Sequence, residues 1–193
     1  MRRVAGELGT GAASLYAYVA NKRELDQLLI NRVVQGIDLP TPDPHRWQEQ
    51  AKGVLRSMLA VLRAHPGVAR ATFAGIPLGE EPLRVIEGVL RILKAGGVPD
   101  QLAAWAGDMF PLYVSAIAFE ESIYAQAGVG EADIAAFVEG MRNYFKALPT
   151  DRFPTVVAMA EALTAGEGDE RFEFGIDLLV TGLAAMALRE SGG

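Results

Sequence analysis

The chain has 193 residues, half of them hydrophobic and 22% charged, which excludes wholesale disorder. It has no cysteine and only two histidines, His45 and His65, so disulfides are excluded and a catalytic triad or multi-histidine metal centre is disfavoured. The net charge of −6 argues against nucleic acid as an average, yet residues 1–35 hold Arg2, Arg3, Lys22, Arg23 and Arg32 against only Glu7, Glu24 and Asp26. A small cationic end on an acidic body results, and local field rather than net charge decides whether a surface meets phosphate.

From the N-terminus, Arg2 to Leu8 predicts two helical turns with Val4, Ala5 and Leu8 inward, stopped by Gly9. Ser14 to Val19 predicts a short second helix with Leu15 and Val19 on its inner side. Asn21 is placed to cap a third helix carrying Leu25, Leu28, Leu29 and Val33. A short helix, a tight glycine turn and another short helix make the helix-turn-helix plan. Pro40, Pro42 and Pro44 mark residues 39–45 as a linker. Beyond it, Trp47, Ala51, Val54, Met58 and Leu62 fall on one helical face.

Pro66-Gly67 and Gly75-Ile76-Pro77 bracket a short piece around Val68–Phe73. Leu83, Ile86, Leu90 and Leu93 repeat the helical pattern until Gly96-Gly97 ends it. Pro99-Asp100 opens a long helix through Leu102, Trp105, Met109, Leu112, Ala116, Phe119 and Ile123. Ile134, Phe137, Val138, Met141 and Phe145 form the next, and Thr155–Leu163 a short one. Phe172, Ile176, Leu179, Leu183 and Met186 close the chain. No stretch alternates polar and apolar residues strictly, so the fold class is all-α. Phe174 to Leu188 is the longest apolar stretch, too short and too interrupted by Asp177 and Thr181 to span a bilayer. No secretory leader follows Met1-Arg2-Arg3, and the expectation is a cytoplasmic protein without membrane contact.

The chemistry-bearing residues are few. Gly9-Thr10-Gly11 opens like a phosphate-binding glycine loop, but no strand precedes it and Ser14 stands where a third glycine belongs. Glu120 and Glu121 are adjacent, so they point to different sides of a helix and are no acid/base pair. A di-metal carboxylate bundle requires a Glu-x-x-His pair, whereas Pro42 and Leu62 stand three residues before His45 and His65. No catalytic residue, metal or cofactor is therefore expected. His65, beside Pro66, fits a helix C-terminus, where its charge is favourable; the alternative role is a polar lining residue of a pocket.

The run Arg-x-Val-Ala-x-Glu-Leu-Gly, followed by Leu15-Tyr16-x-Tyr18-Val19-x-Asn21-Lys22-x-Glu24-Leu25, resembles the DNA-binding end of the tetracycline-repressor (TetR) family. Looser likenesses continue at Leu62-Arg-Ala-His65-Pro66, Gly75-Ile-Pro77-Leu-Gly79, Leu93-Lys-Ala-Gly96 and Phe172 to Leu183, so nearly the whole chain is covered. The resemblance implies a helix-turn-helix DNA-binding domain over 1–38 and an effector-binding and dimerisation domain over 45–190. The family's motif is preceded by a further helix that this sequence does not contain, which implies an incomplete DNA-binding domain.

The resemblance assigns DNA contact to Arg2, Thr10, Gly11, Ala12, Ala13, Ser14, Tyr16, Tyr18 and Lys22. It assigns effector contact to Met58, Leu62, His65, Phe73, Trp105, Met109, Phe110 and Tyr113. A four-helix dimer interface would use Phe119, Ile123, Phe172, Ile176, Leu179, Gly182, Leu183 and Met186. The implied function is a regulator, usually a repressor, that binds a palindromic double-stranded operator as a homodimer and is released by a small, mostly apolar effector. The competing reading is a helical small-molecule-binding protein without DNA function.

Overall fold

The computed structural model describes residues 2–74 and 79–191, with eleven helices and no strand among them. The Gly75-Ile76-Pro77-Leu78 part of the family likeness lies outside the described residues. The chain forms two compact units, Met1–Ser122 with Leu179–Gly193, and Ile123–Leu178.

The first unit opens with α1 (Arg2–Glu7) and α2 (Ala12–Leu15), which pack on each other. Gly9 turns the chain at φ +62°, a conformation that costs glycine little, and Thr10 N–H reaches back to the Ala5 carbonyl at 2.9 Å. The second helix begins two residues earlier than the sequence predicts, and single turns carry it to Val19. Among the described side chains of this hairpin, Ala5 and Val19 are the buried ones. Val4 and Leu8, expected inward, are exposed because helices of six and four residues cover little of each other.

Helix α3 (Lys22–Val34) starts at Asn21, whose side chain accepts from Glu24 N–H at 3.0 Å, while the Glu24 carboxylate accepts from Ala20 N–H at 2.5 Å. It packs on α4 (Trp47–Ala64), α5 (Pro66–Ala74) and α6 (Glu80–Ala95). Its C-terminal end is held firmly. Arg84 donates from Nη2 to the Val34 and Gln35 carbonyls at 3.1 and 3.4 Å, placing a cation at the negative end of the helix. The linker over 39–45 is ordered by Gln50, which accepts from Asp43 N–H and donates to the Thr41 carbonyl. Leu55, Ile92, Leu93 and Val98 are fully enclosed and form the centre of this unit.

Helix α7 (Asp100–Gln126) continues through Pro111, which has no N–H for the Gly107 carbonyl. Its length and composition suffice to cross a bilayer, which the sequence reading missed, but Leu102, Ala106, Phe110, Val114 and Ala118 along one face are core. Arg63 on α4 clamps Glu121 on α7 with two hydrogen bonds of 2.7 Å.

The second unit contains α8 (Glu131–Lys146), α9 (Pro154–Ala158), α10 (Ala160–Leu163) and the first part of α11 (Gly168–Ser191). Arg142 donates to Thr164 Oγ1 at 2.9 Å and pairs with Glu161, and Lys146 pairs with the same carboxylate, tying α8 to α10. Together these contacts pull the Glu161 carboxyl below the ordinary glutamate range, chiefly through the hydrogen bond from Lys146.

Candidate functional site

Two features carry functional geometry. The first is the exposed surface of the short-helix hairpin. Arg2, Thr10, Gly11, Ala13, Ser14, Tyr16 and Tyr18 are all exposed, and Ala12 begins α2. Tyr18 is 84% exposed, so its ring and hydroxyl are open to solvent. Lys22 is also exposed, but its ammonium pairs with Asp26 at 2.5 Å, one turn along α3. A phosphate would have to compete with that carboxylate. No side chain caps α2, and the Ser14 N–H donates to the Gly11 carbonyl at 3.0 Å.

The second feature is a cavity of about 480 Å³ inside the first unit, a size suited to a drug-sized molecule. Five helices line it. Ile30 and Val34 come from α3, and Ile37 just beyond it; Met58 and Leu62 come from α4, and Thr72 from α5. Helix α6 gives Pro82, Val85, Ile86 and Leu90, while α7 gives Ala104, Gly107, Asp108, Pro111, Leu112 and Ser115. The α7 positions recur every three or four residues and make one stripe. Thr72 spends its hydroxyl on the Ala69 carbonyl at 2.8 Å, which leaves a mostly apolar wall.

Of the residues expected in the pocket, Met58 and Leu62 line it. Trp105 and Met109 sit about 100° round α7 from the lining stripe and are 60% and 47% exposed. Phe110 is core, Tyr113 is half-buried outside the lining, and the Phe73 side chain lies outside the described residues. His65 is exposed at the end of α4, with Nδ1 2.9 Å from the Val61 carbonyl, the helix-terminal placement rather than the pocket one. Sequence reasoning missed the α3 and α6 walls. A signal existed in Val85, Ile86 and Leu90, which continue the apolar face of α6 beyond what a helix packed on one side needs.

The expected interface residues also divide. Phe172, Ile176 and Leu183 are buried within the single chain and belong to its core, so they correct the interface expectation. Ile123, Gly182 and Met186 are exposed, and Phe119 and Leu179 are half-buried. The apolar side chains that α11 leaves outside are instead Phe174, Leu178, Met186 and Leu188. Trp105, Met109, Leu112, Ile123 and Tyr124 do the same on α7.

A helix-turn-helix hairpin joined by one helix to a hollow, all-helical body is the class of protein these features define. The tetracyclin repressor-like C-terminal domain family matches residues 39–187. Apo ActR of Streptomyces coelicolor superposes with a TM-score of 0.84 at 38% identity, over 97% of this chain and 87% of that one. The ActR complex with actinorhodin gives the same TM-score at 37% identity and the same coverage. The transcriptional repressor DrrR1 of Streptomyces coeruleorubidus is 29% identical over 197 residues, spanning all of this chain and 72% of that protein. The chain belongs to the TetR family of helix-turn-helix transcriptional regulators.

Proposed function

We propose that this chain is a repressor that binds a palindromic operator as a homodimer and lets go when a small molecule occupies the cavity. Residues 1–38 would meet DNA, and residues 45–190 would hold the effector and the partner subunit. The observation that carries this reading is the double use of α3. Its first turn is capped directly after α2, whereas Ile30 and Val34 further along it line the cavity. An effector seated there touches the helix that aims the DNA-binding hairpin. It need only prefer the non-binding orientation to release the operator, and by reciprocity operator DNA weakens effector binding by the same factor. The ActR complexes with (S)-DNPA and actinorhodin support a ligand-holding role for this fold.

DNA contact would come from the exposed face of α1 and α2. Gly11, Ala12 and Ala13 offer little side chain for base readout, so Thr10, Ser14, Tyr16 and Tyr18 would carry specificity, with Arg2 and Lys22 on phosphate. The outward apolar residues of α7 and α11 would form the dimer interface, setting half-sites about one helical turn apart.

Selection of a site from a fragment library with the chain carrying the family's preceding helix, followed by titration at several salt concentrations, tests the reading. A palindromic site, a steep salt slope and a loss on the order of tenfold in Tyr16→Ala or Lys22→Ala, at unchanged dimer mass, is expected. Weak, sequence-indifferent binding would overturn it in favour of a ligand-binding protein without DNA function.

A further inference from the structure

Among the residues that line the cavity, Asp108 is the single ionisable side chain. It lies mid-way along the α7 stripe, between Ala104 and Pro111, in a cavity also lined by Val85, Ile86 and Leu90. Among the described residues it has neither an ion-pair nor a hydrogen-bond partner. Some acids of the first unit are paired on their helix surfaces, Glu121 with Arg63, Glu81 with Arg84 and Asp26 with Lys22. Asp108 is exposed enough to remain hydrated while the cavity is empty, so its lack of a partner costs little then. A molecule entering the cavity covers that carboxylate and strips its water. A covered carboxylate accepts hydrogen bonds only, and without a donor or a cation it is costly.

We infer that Asp108 selects the charge of the effector: the cavity takes a mostly apolar organic amine whose protonated nitrogen seats against this carboxylate. This inference rests on the effector-pocket reading above and goes beyond it by naming the ligand class and the residue that sets it. An apolar body fits the aliphatic walls, and the ammonium satisfies the one charged group. An anionic molecule of the same shape places like charge beside Asp108 and is rejected. With the Thr72 hydroxyl engaged by the Ala69 carbonyl, a further polar group is the hydroxyl of the buried Ser115, seven residues along α7 and about 10 Å away at 1.5 Å per residue. It is suited to a hydroxyl or carbonyl at the far end of the ligand.

The test uses two tricyclic probes of one shape, 9-aminoacridine as the cation and acridone as the neutral partner, titrated calorimetrically into the full chain. The cation is expected to bind about tenfold more tightly than acridone, the scale of one charge-assisted hydrogen bond at a half-exposed site. In Asp108→Asn that preference disappears while acridone binds as before, which also shows that the variant is folded. Ala104→Trp, which puts a large ring at a lining position, abolishes binding of both. Equal affinity for the two probes in the parent chain overturns the inference, as does a preference that survives Asp108→Asn. Cation binding that survives Ala104→Trp also overturns it, because attachment is then to the acidic surface of a chain of net charge −6. Binding of neither probe removes the effector-pocket reading itself, an outcome distinct from loss of the charge preference.

Discussion

Leu55 and Leu62 stand two turns apart on α4, and their comparison tests whether the cavity exists in solution. Both side chains are buried, at 0% and 4% exposure. Leu62 faces the cavity and Leu55 does not. Truncating a buried leucine to alanine removes the same transfer free energy at either place, so the difference lies in the space left behind. Around Leu55 the core is closed, and the vacated volume becomes a new void. At about 24 cal/mol per Å³, a void of about 80 Å³ adds about 2 kcal/mol, which puts Leu55→Ala near the top of the range of about 2.7–5 kcal/mol. At Leu62 the vacated volume joins an existing cavity of about 480 Å³, and little new void is created. Leu62→Ala therefore belongs near the bottom of that range. For a chain of this length, each kcal/mol moves Tm by about 2–4 °C, so the two variants should differ by about 4–8 °C at one protein concentration. Thermal unfolding by circular dichroism reads this directly. Equal losses would show that the α4 wall is packed in solution and refute the cavity.

Three other outcomes follow from single contacts. Phe174→Asp with Leu178→Asp charges the outer face of α11; the chain should stay folded but scatter light as a monomer, whereas Ile176→Asp, at a fully buried position, should not fold. Gly96→Ala sets a Cβ 2.5 Å from Cδ1 and Cδ2 of the buried Trp47 ring, which should cost about 2 kcal/mol and lower Tm by about 6 °C. Glu161, held below the ordinary glutamate range chiefly by Lys146, contributes stability that is present above that range and is lost as pH falls through its depressed pKa. A carboxyl NMR titration should see this pKa rise in Lys146→Ala, and an unmoved pKa would discard the assignment.

How far the sequence reveals this molecule depends on whether a property resides in one helix or in the space between several. Helix identity and most boundaries are local. Trp47 to Leu62 gives its period unaided, and Gly97 ends α6 at φ +75° as its neighbour pair predicts. The hairpin is legible for the same reason, since Gly9 and the Asn21–Glu24 capping pair act within a few residues. The cavity is not local. A void is a place where five apolar faces fail to meet, and each face alone looks like ordinary core. Met58 and Phe110 are equally apolar in sequence, yet one borders the void and the other fills solid core.

The last helix shows the limit most clearly. It is apolar on two faces, so composition alone shows that both must be covered but not by what. The stripe Phe172, Ile176, Val180, Leu183 and Ala187 is buried inside the chain, while Phe174 and Leu178, two residues out of phase, remain open to solvent. Two residues are about 200° of helical rotation, so the buried stripe and the exposed pair lie on opposite sides of α11, and the expected interface residues Phe172, Ile176 and Leu183 fall on the buried one. The stronger stripe serves the chain's own core. What is left over, larger than solvent alone explains and separated from the core by half a turn, is the face available to a second subunit.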